Sequence, residues 1–238
     1  MWHLPDANYN HRITDLRKQV KSLWSQPYEW MQAVFTQWLG IQSPHVWQIE
    51  NSLCLCQGLD VFITTKTGSG KLALALAPVI ACCLRNEPHV AIVVYPMEAL
   101  ISDQVSKSSA VNCALTYRHA YSQEGKAQSG GVRFIAISSN ILSHATIKGH
   151  NIWKEVENGM WDVVGMGPEM IQLAPVAWLL QSKRFLQRLG FMFIDEVHLV
   201  DEWGHTFRKD FLQLTELCSC VKSCVTFLGM SASLHDDN

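Results

Sequence analysis

The chain has no surplus of basic residues. Its 19 Lys and Arg stand against 21 Asp and Glu, for a formal net charge of −2 and a pI of about 6.5. That excludes nucleic-acid binding through a generally basic surface; any such binding has to come from a local groove. Long apolar runs are lacking too. The longest, Leu72 to Leu84, has 13 residues. That is too short to cross a bilayer and suits a buried core helix. The start, Met1-Trp2-His3-Leu4-Pro5-Asp6, lacks the charged-then-apolar pattern of a secretory signal. A soluble, intracellular protein without a membrane partner is the expectation. Internal repeats and low-complexity tracts are absent. What is plentiful is apolar: 48% of the 238 residues, with 17% charged, enough for one large α/β domain with a full core. Such a core does not need its eight cysteines as a disulfide framework. Cys218-x-Cys220-x3-Cys224 matches no common zinc spacing and reads as small buried residues on a helix.

Residues 1–38 are polar with scattered aromatics and predict one or two amphipathic helices as an N-terminal extension; 39–238 form the main domain. Val46 to Cys56 reads as a helix. Short β-branched, apolar runs then recur at 61–64, 90–95, 132–137, 161–164, 191–194 and 225–228. Helical patterns lie between them at 70–84, 98–107, 151–158, 176–188 and 207–221. Near-continuous apolar strands alternating with helices predict a mostly parallel sheet with helices on both faces. Ligands of such sheets sit at the carboxyl ends of the strands.

Two stretches at strand ends carry chemistry. Thr65-Lys66-Thr67-Gly68-Ser69-Gly70-Lys71 follows the first strand and opens a helix. Glycines let the backbone curl so that several N–H groups face one anion, the helix N-terminus adds a favourable field, and the lysine neutralises phosphate oxygens. The residue after that lysine is normally Ser or Thr, whose hydroxyl ligates Mg2+. Here it is Leu72, which predicts weakened metal affinity and hydrolysis. The second stretch is Asp195-Glu196-Val197-His198, leading into Trp203-Gly204-His205-Thr206-Phe207-Arg208. Adjacent carboxylates at a strand end point apart, so one can face a metal and the other a water. The aromatic loop behind them suits stacking on nucleic-acid bases.

From about Leu39 to Leu234 the order of these motifs resembles the first motor domain of superfamily 2 helicases, nearest to the RecQ-type DNA helicases. Gln48, 23 residues before Lys71, stands where that family has the glutamine that reads adenine. Pro78 sits where the family has a proline inside the helix. Tyr95-Pro96-Met97-Glu98-Ala99-Leu100-Ile101-Ser102-Asp103-Gln104-Val105 resembles its strand-binding motif. Gly167-Pro168-Glu169-Met170 resembles its Ser/Thr-Pro-Glu motif, with glycine replacing the hydroxyl residue. Asp195-Glu196-Val197-His198 is a variant of Asp-Glu-Ala-His, the Trp203–Arg208 segment is similar to the aromatic-rich RecQ loop, and Met230-Ser231-Ala232-Ser233 resembles Ser/Thr-Ala-Thr.

The resemblance implies a RecA-like P-loop fold, with ATP and Mg2+ as cofactors. Thr67, Gly68, Ser69, Gly70 and Lys71 would hold the phosphates, and Gln48 the adenine. Asp195 would hold Mg2+, and Glu196 would orient and deprotonate the attacking water. Pro96, Gln104, Trp203, Phe207 and Arg208 would contact single-stranded DNA at a duplex junction. His198, Ser231 and Ser233 would couple the two sites. It implies 3′ to 5′ travel, a nuclear location in a eukaryote, and a second RecA-like domain that supplies an arginine finger and is missing from these 238 residues. Three readings follow: a truncated ATP-dependent DNA helicase, a degenerate non-catalytic nucleotide- or DNA-binding remnant favoured by Leu72, Gly167, Ser233 and the missing second domain, or an RNA helicase of the Asp-Glu-Ala-Asp/His class. The Trp-Gly-His-x-Phe-Arg loop disfavours the last.

Overall fold

Six short, apolar strands assemble into one parallel sheet in a computed structural model that describes residues 26–66, 68–87, 89–95, 132–171, 173–197 and 225–232. The strands are β1 (Val61–Thr64), β2 (Val90–Val94), β3 (Phe134–Ile137), β4 (Val163–Met166), β5 (Leu189–Ile194) and β6 (Thr226–Ser231). Their order across the sheet is β1-β6-β5-β2-β4-β3, and every pairing is parallel. A parallel sheet must be covered on both faces, and alternation along β2 shows that it is. Val90, Ile92 and Val94 pack with Ile152, Val176 and Phe185 on one face. Ala91, Val93 and Tyr95 pack with Leu55, Leu74 and Val79 on the other.

Outside the second face run α1 (Pro27–Ala33), which does not reach the sheet, and the two helices beneath it, α2 (Val46–Cys56) and α3 (Lys71–Arg85). α1 runs into a π-helical turn, Val34–Trp38, with Leu39 N–H bonded back to Val34 O at 3.2 Å. α3 is apolar all round because it is buried on two sides. Leu74, Ala75 and Val79 meet the sheet; Ala77, Ile80, Ala81 and Leu84 meet Trp30, Met31, Phe35 and Trp38. The extension expected for the first 38 residues thus contributes, in its described part, a third layer outside α3.

Pro78 lies inside α3. Having no N–H, it leaves the carbonyl four residues back, that of Leu74, without its helical donor. Ser52 of α2, fully buried, donates its hydroxyl to Leu74 O at 3.4 Å. A neighbouring helix thereby supplies the bond that proline removes.

The first face carries α4 (Ser139–Ile147), α5 (Ile152–Glu157), α6 (Pro168–Ile171), α7 (Ala174–Gln181) and α8 (Lys183–Leu186). The sequence predicted one helix over 176–188. Ser182 breaks it: its backbone is extended at φ −72°, ψ 114° and its hydroxyl caps the next turn by accepting from Phe185 N–H. The strand expected at 161–164 begins two residues later, at Val163, although Asp162 just before it already bonds Ala91 N–H through its carbonyl and Arg133 through its carboxylate. The helices expected at 98–107 and 207–221 lie outside the described residues.

Candidate functional site

The strand order decides what can meet. β6 lies between β1 and β5, so the loops leaving β1 and β5 flank the end of β6. Hydrogen bonds continue past the strands on both sides. Thr65 N–H donates to Ser231 O at 3.1 Å, Val197 N–H to Met230 O at 2.9 Å, and Asp195 N–H to Val94 O at 2.8 Å. The phosphate-loop segment, the Asp195-Glu196 pair and the Ser231-Ala232 turn therefore share one edge of the sheet. This is the edge where parallel sheets bind ligands.

The loop between β1 and α3 is held from behind. Gly68 and Gly70 adopt φ +82° and +87°, a region in which a Cβ crowds the following carbonyl. Gly70 is doubly required, since a Cβ there would stand 2.6 Å from Gln48 Nε2. Gln48 is 2% exposed. Its amide donates to Gly70 O at 3.2 Å and Ser69 O at 3.5 Å, while its Oε1 accepts from His45 N–H at 2.8 Å. The side chain expected to read adenine thus also buttresses the phosphate loop and the start of α2. Thr65 and Ser69 hydroxyls pair at 2.5 Å, and Lys71 Nζ donates to Thr65 O at 3.1 Å. α3 begins with no side-chain cap, which leaves its first N–H groups for an anion.

Across β6, Glu196 sits at φ +52°. Such a backbone costs a non-glycine residue about 1–3 kcal/mol and marks a constrained site. Its N–H bonds Asp195 Oδ1 at 3.0 Å, and its Oε2 accepts from Ala232 N–H at 3.3 Å. A carboxylate of the β5 motif is thereby bonded directly to the turn after β6. Motif spacing alone did not assign that contact to Glu196.

Farther along the same edge, Tyr95 follows β2 and is buried; burial, with the Glu169 carboxylate nearby, pushes its phenol pKa up. Glu169 folds back so that its carboxylate occupies the space a side chain at Gly167 would need. The glycine in place of a hydroxyl residue is thus matched by the position of Glu169.

A phosphate chain fits this donor set. The metal side is thinner: position 72 brings no oxygen, and the Thr65 and Ser69 hydroxyls bond one another. Thr67, Pro96, Gln104, His198, Trp203, Phe207, Arg208 and Ser233 lie outside the described residues. Ser231 lies within them, buried at the end of β6.

The DEAD/DEAH box helicase family model matches residues 47–238. The chain belongs to the DEAD/DEAH box helicase family. Its curated relatives are RecQ-type helicases. ATP-dependent DNA helicase Q4 of Mus musculus is 24% identical over 75% of this chain and 13% of the relative. ATP-dependent helicase SGS1 of Saccharomyces cerevisiae is 29% identical over 70% of this chain and 10% of the relative. RecQ-like DNA helicase BLM of Xenopus laevis is 28% identical over 86% of this chain and 13% of the relative. The chain thus spans only 10–13% of the length of these helicases. Among solved structures, the DUF1998 helicase MrfA bound to DNA and AMPPNP superposes with a TM-score of 0.58 at 19% identity, over 87% of this chain and 26% of that one. That likeness shows the RecA-like fold.

Proposed function

We propose that this chain is the ATP-binding motor domain of a RecQ-type DNA helicase, in which ATP hydrolysis is coupled to 3′ to 5′ strand separation. The observation that carries the reading is the meeting of the phosphate loop, the Asp195-Glu196 pair and the Ser231-Ala232 turn at one sheet edge. ATP, when bound, supplies the anhydride whose cleavage drives the cycle. Gly68, Ser69, Gly70 and Lys71, with Thr67, hold the phosphates through backbone N–H groups and the Lys71 ammonium. Asp195 would hold Mg2+, which would neutralise charge developing on the phosphates. Glu196, whose Oε2 accepts from Ala232 N–H, would orient the attacking water and take its proton. Ser231, Ser233 and His198 relay that state to the DNA side. There Pro96 and Gln104 contact the backbone, Trp203 and Phe207 stack on bases, and Arg208 contacts phosphate. A second RecA-like domain contributes the arginine finger, typically worth about 10³–10⁵ in rate.

Leu72 favours a second reading, a domain that binds nucleotide and DNA without turnover. ATPase measured with single-stranded DNA, with and without a second domain supplied in trans, separates the two. Turnover that rises with both additions supports the motor. Tight nucleotide binding with no turnover under any condition refutes it. In the motor reading Leu72→Thr raises the rate by about 10-fold or more, since even outer-shell metal partners command about 10–100-fold.

A further inference from the structure

At the opposite edge of the sheet, three ligand-type side chains converge where the nucleotide reading assigns nothing. α3 ends in a Schellman-type turn: Asn86 takes φ +60°, Glu87 N–H donates to Cys82 O at 3.1 Å and Asn86 N–H to Cys83 O at 3.1 Å. This turn aims the chain back towards β2 and sets His89 beside Cys83. β2 and β4 are paired, and Ala91 N–H donates to Asp162 O at 2.9 Å, which brings Asp162 alongside. One ligand atom from each of Cys83, His89 and Asp162 lies within 4.8 Å of the others.

We propose that Cys83, His89 and Asp162 bind a single zinc ion, which ties the end of α3 to the starts of β2 and β4. The geometry is nearly formed. His89 Nε2 is 3.3 Å from Cys83 Sγ. Tetrahedral zinc with a Zn–S bond of about 2.3 Å and a Zn–N bond of about 2.0 Å needs these atoms about 3.5 Å apart. The histidine is preset for the role. Its Nδ1 lies 2.8 Å from Glu87 O, so Nδ1–H donates there and the Nε2 lone pair faces the cysteine. Metal-binding histidines are oriented by just such a backbone carbonyl. Asp162 is held in place by Arg133, which donates twice to Oδ2 and once to Oδ1. A carboxylate has roughly four acceptor positions, so Oδ1 retains capacity for a cation. Mixed sulfur, nitrogen and oxygen ligation favours zinc over magnesium or calcium. Water completes the fourth position. Without metal, the Cys83 thiol donates its proton to Nε2; on binding, that proton leaves and the thiolate bonds the ion, so one proton is released per zinc.

The test uses the full chain, reduced, loaded with Zn2+ and passed through gel filtration. One equivalent of zinc retained, an X-ray absorption spectrum with one sulfur and nitrogen or oxygen neighbours, and release of a proton on binding are expected. Cys83→Ser and His89→Gln should each weaken binding by at least about 10–100-fold, the loss typical of outer-shell partners. Their circular dichroism without metal reports whether they fold. The triple variant Cys218→Ser, Cys220→Ser, Cys224→Ser should bind as the natural chain does. No retained zinc, a spectrum with three or four sulfurs, or binding lost in the triple variant and kept in Cys83→Ser overturns the proposal.

Discussion

Placing alanine at position 70 tests the buttress behind the phosphate loop. Gly70 stands at φ +87°, and a Cβ there meets Gln48 Nε2 at 2.6 Å. The left-handed backbone alone costs alanine about 1–2 kcal/mol. The Gln48 amide must also swing away, giving up its bonds to Gly70 O and Ser69 O and loosening its grip on His45 N–H. A buried amide left unsatisfied costs about 1–3 kcal/mol. Gly70→Ala should therefore destabilise by about 2–5 kcal/mol, a large share of the roughly 5–15 kcal/mol available to a domain. Gln48→Ala alone should cost about 1–3 kcal/mol. The two changes should not add: once Gln48 is truncated, the alanine at 70 meets no amide, and only its backbone strain remains. Urea unfolding of the four proteins measures the cycle, with unchanged m-values required for the comparison. A coupling of about 1–3 kcal/mol is expected, on the size of the amide penalty removed. Additivity within about 0.5 kcal/mol would refute the argument that Gly70 and Gln48 are one structural unit.

Ser52→Ala should cost about 1–3 kcal/mol in urea unfolding, the price of an unmet buried carbonyl, and much less beside Pro78→Ala, where the helix regains its own donor; equal costs in both backgrounds would sink the proline account. Burial lowers the His89 pKa below its ordinary 6.5, so below that pH the unfolded chain binds more protons than the folded one. Stability should therefore fall as pH drops beneath 6.5 towards the lowered folded value, and His89→Gln should flatten that fall in denaturant midpoints. Trp203→Ala should weaken single-stranded DNA binding roughly 5–150-fold, the worth of one stacked base, and abolish DNA-stimulated ATPase while leaving nucleotide affinity intact. Unchanged stimulation would remove Trp203 from the DNA path.

The sequence alone determined the alternation of strands and helices and the order of the motifs, because burial period and turn chemistry act between neighbours along the chain. Val46–Cys56 appears as expected, and all six strand runs begin within two residues of their predicted starts. Local patterning did not reveal the break at Ser182, where a side-chain cap outweighs continuous helical periodicity, nor the pairing of the Asp162 carboxylate with Arg133, 29 residues away. The tertiary structure decided everything that depends on strand order. Placing β6 between β1 and β5 gives Glu196 its bond to Ala232. Packing α2 on α3 gives Leu74 O its donor from Ser52. Pairing β2 with β4 brings Asp162 to Cys83 and His89. These contacts join residues 22 to 79 positions apart. Only the closing of the sheet, with its long-range burial, can select them.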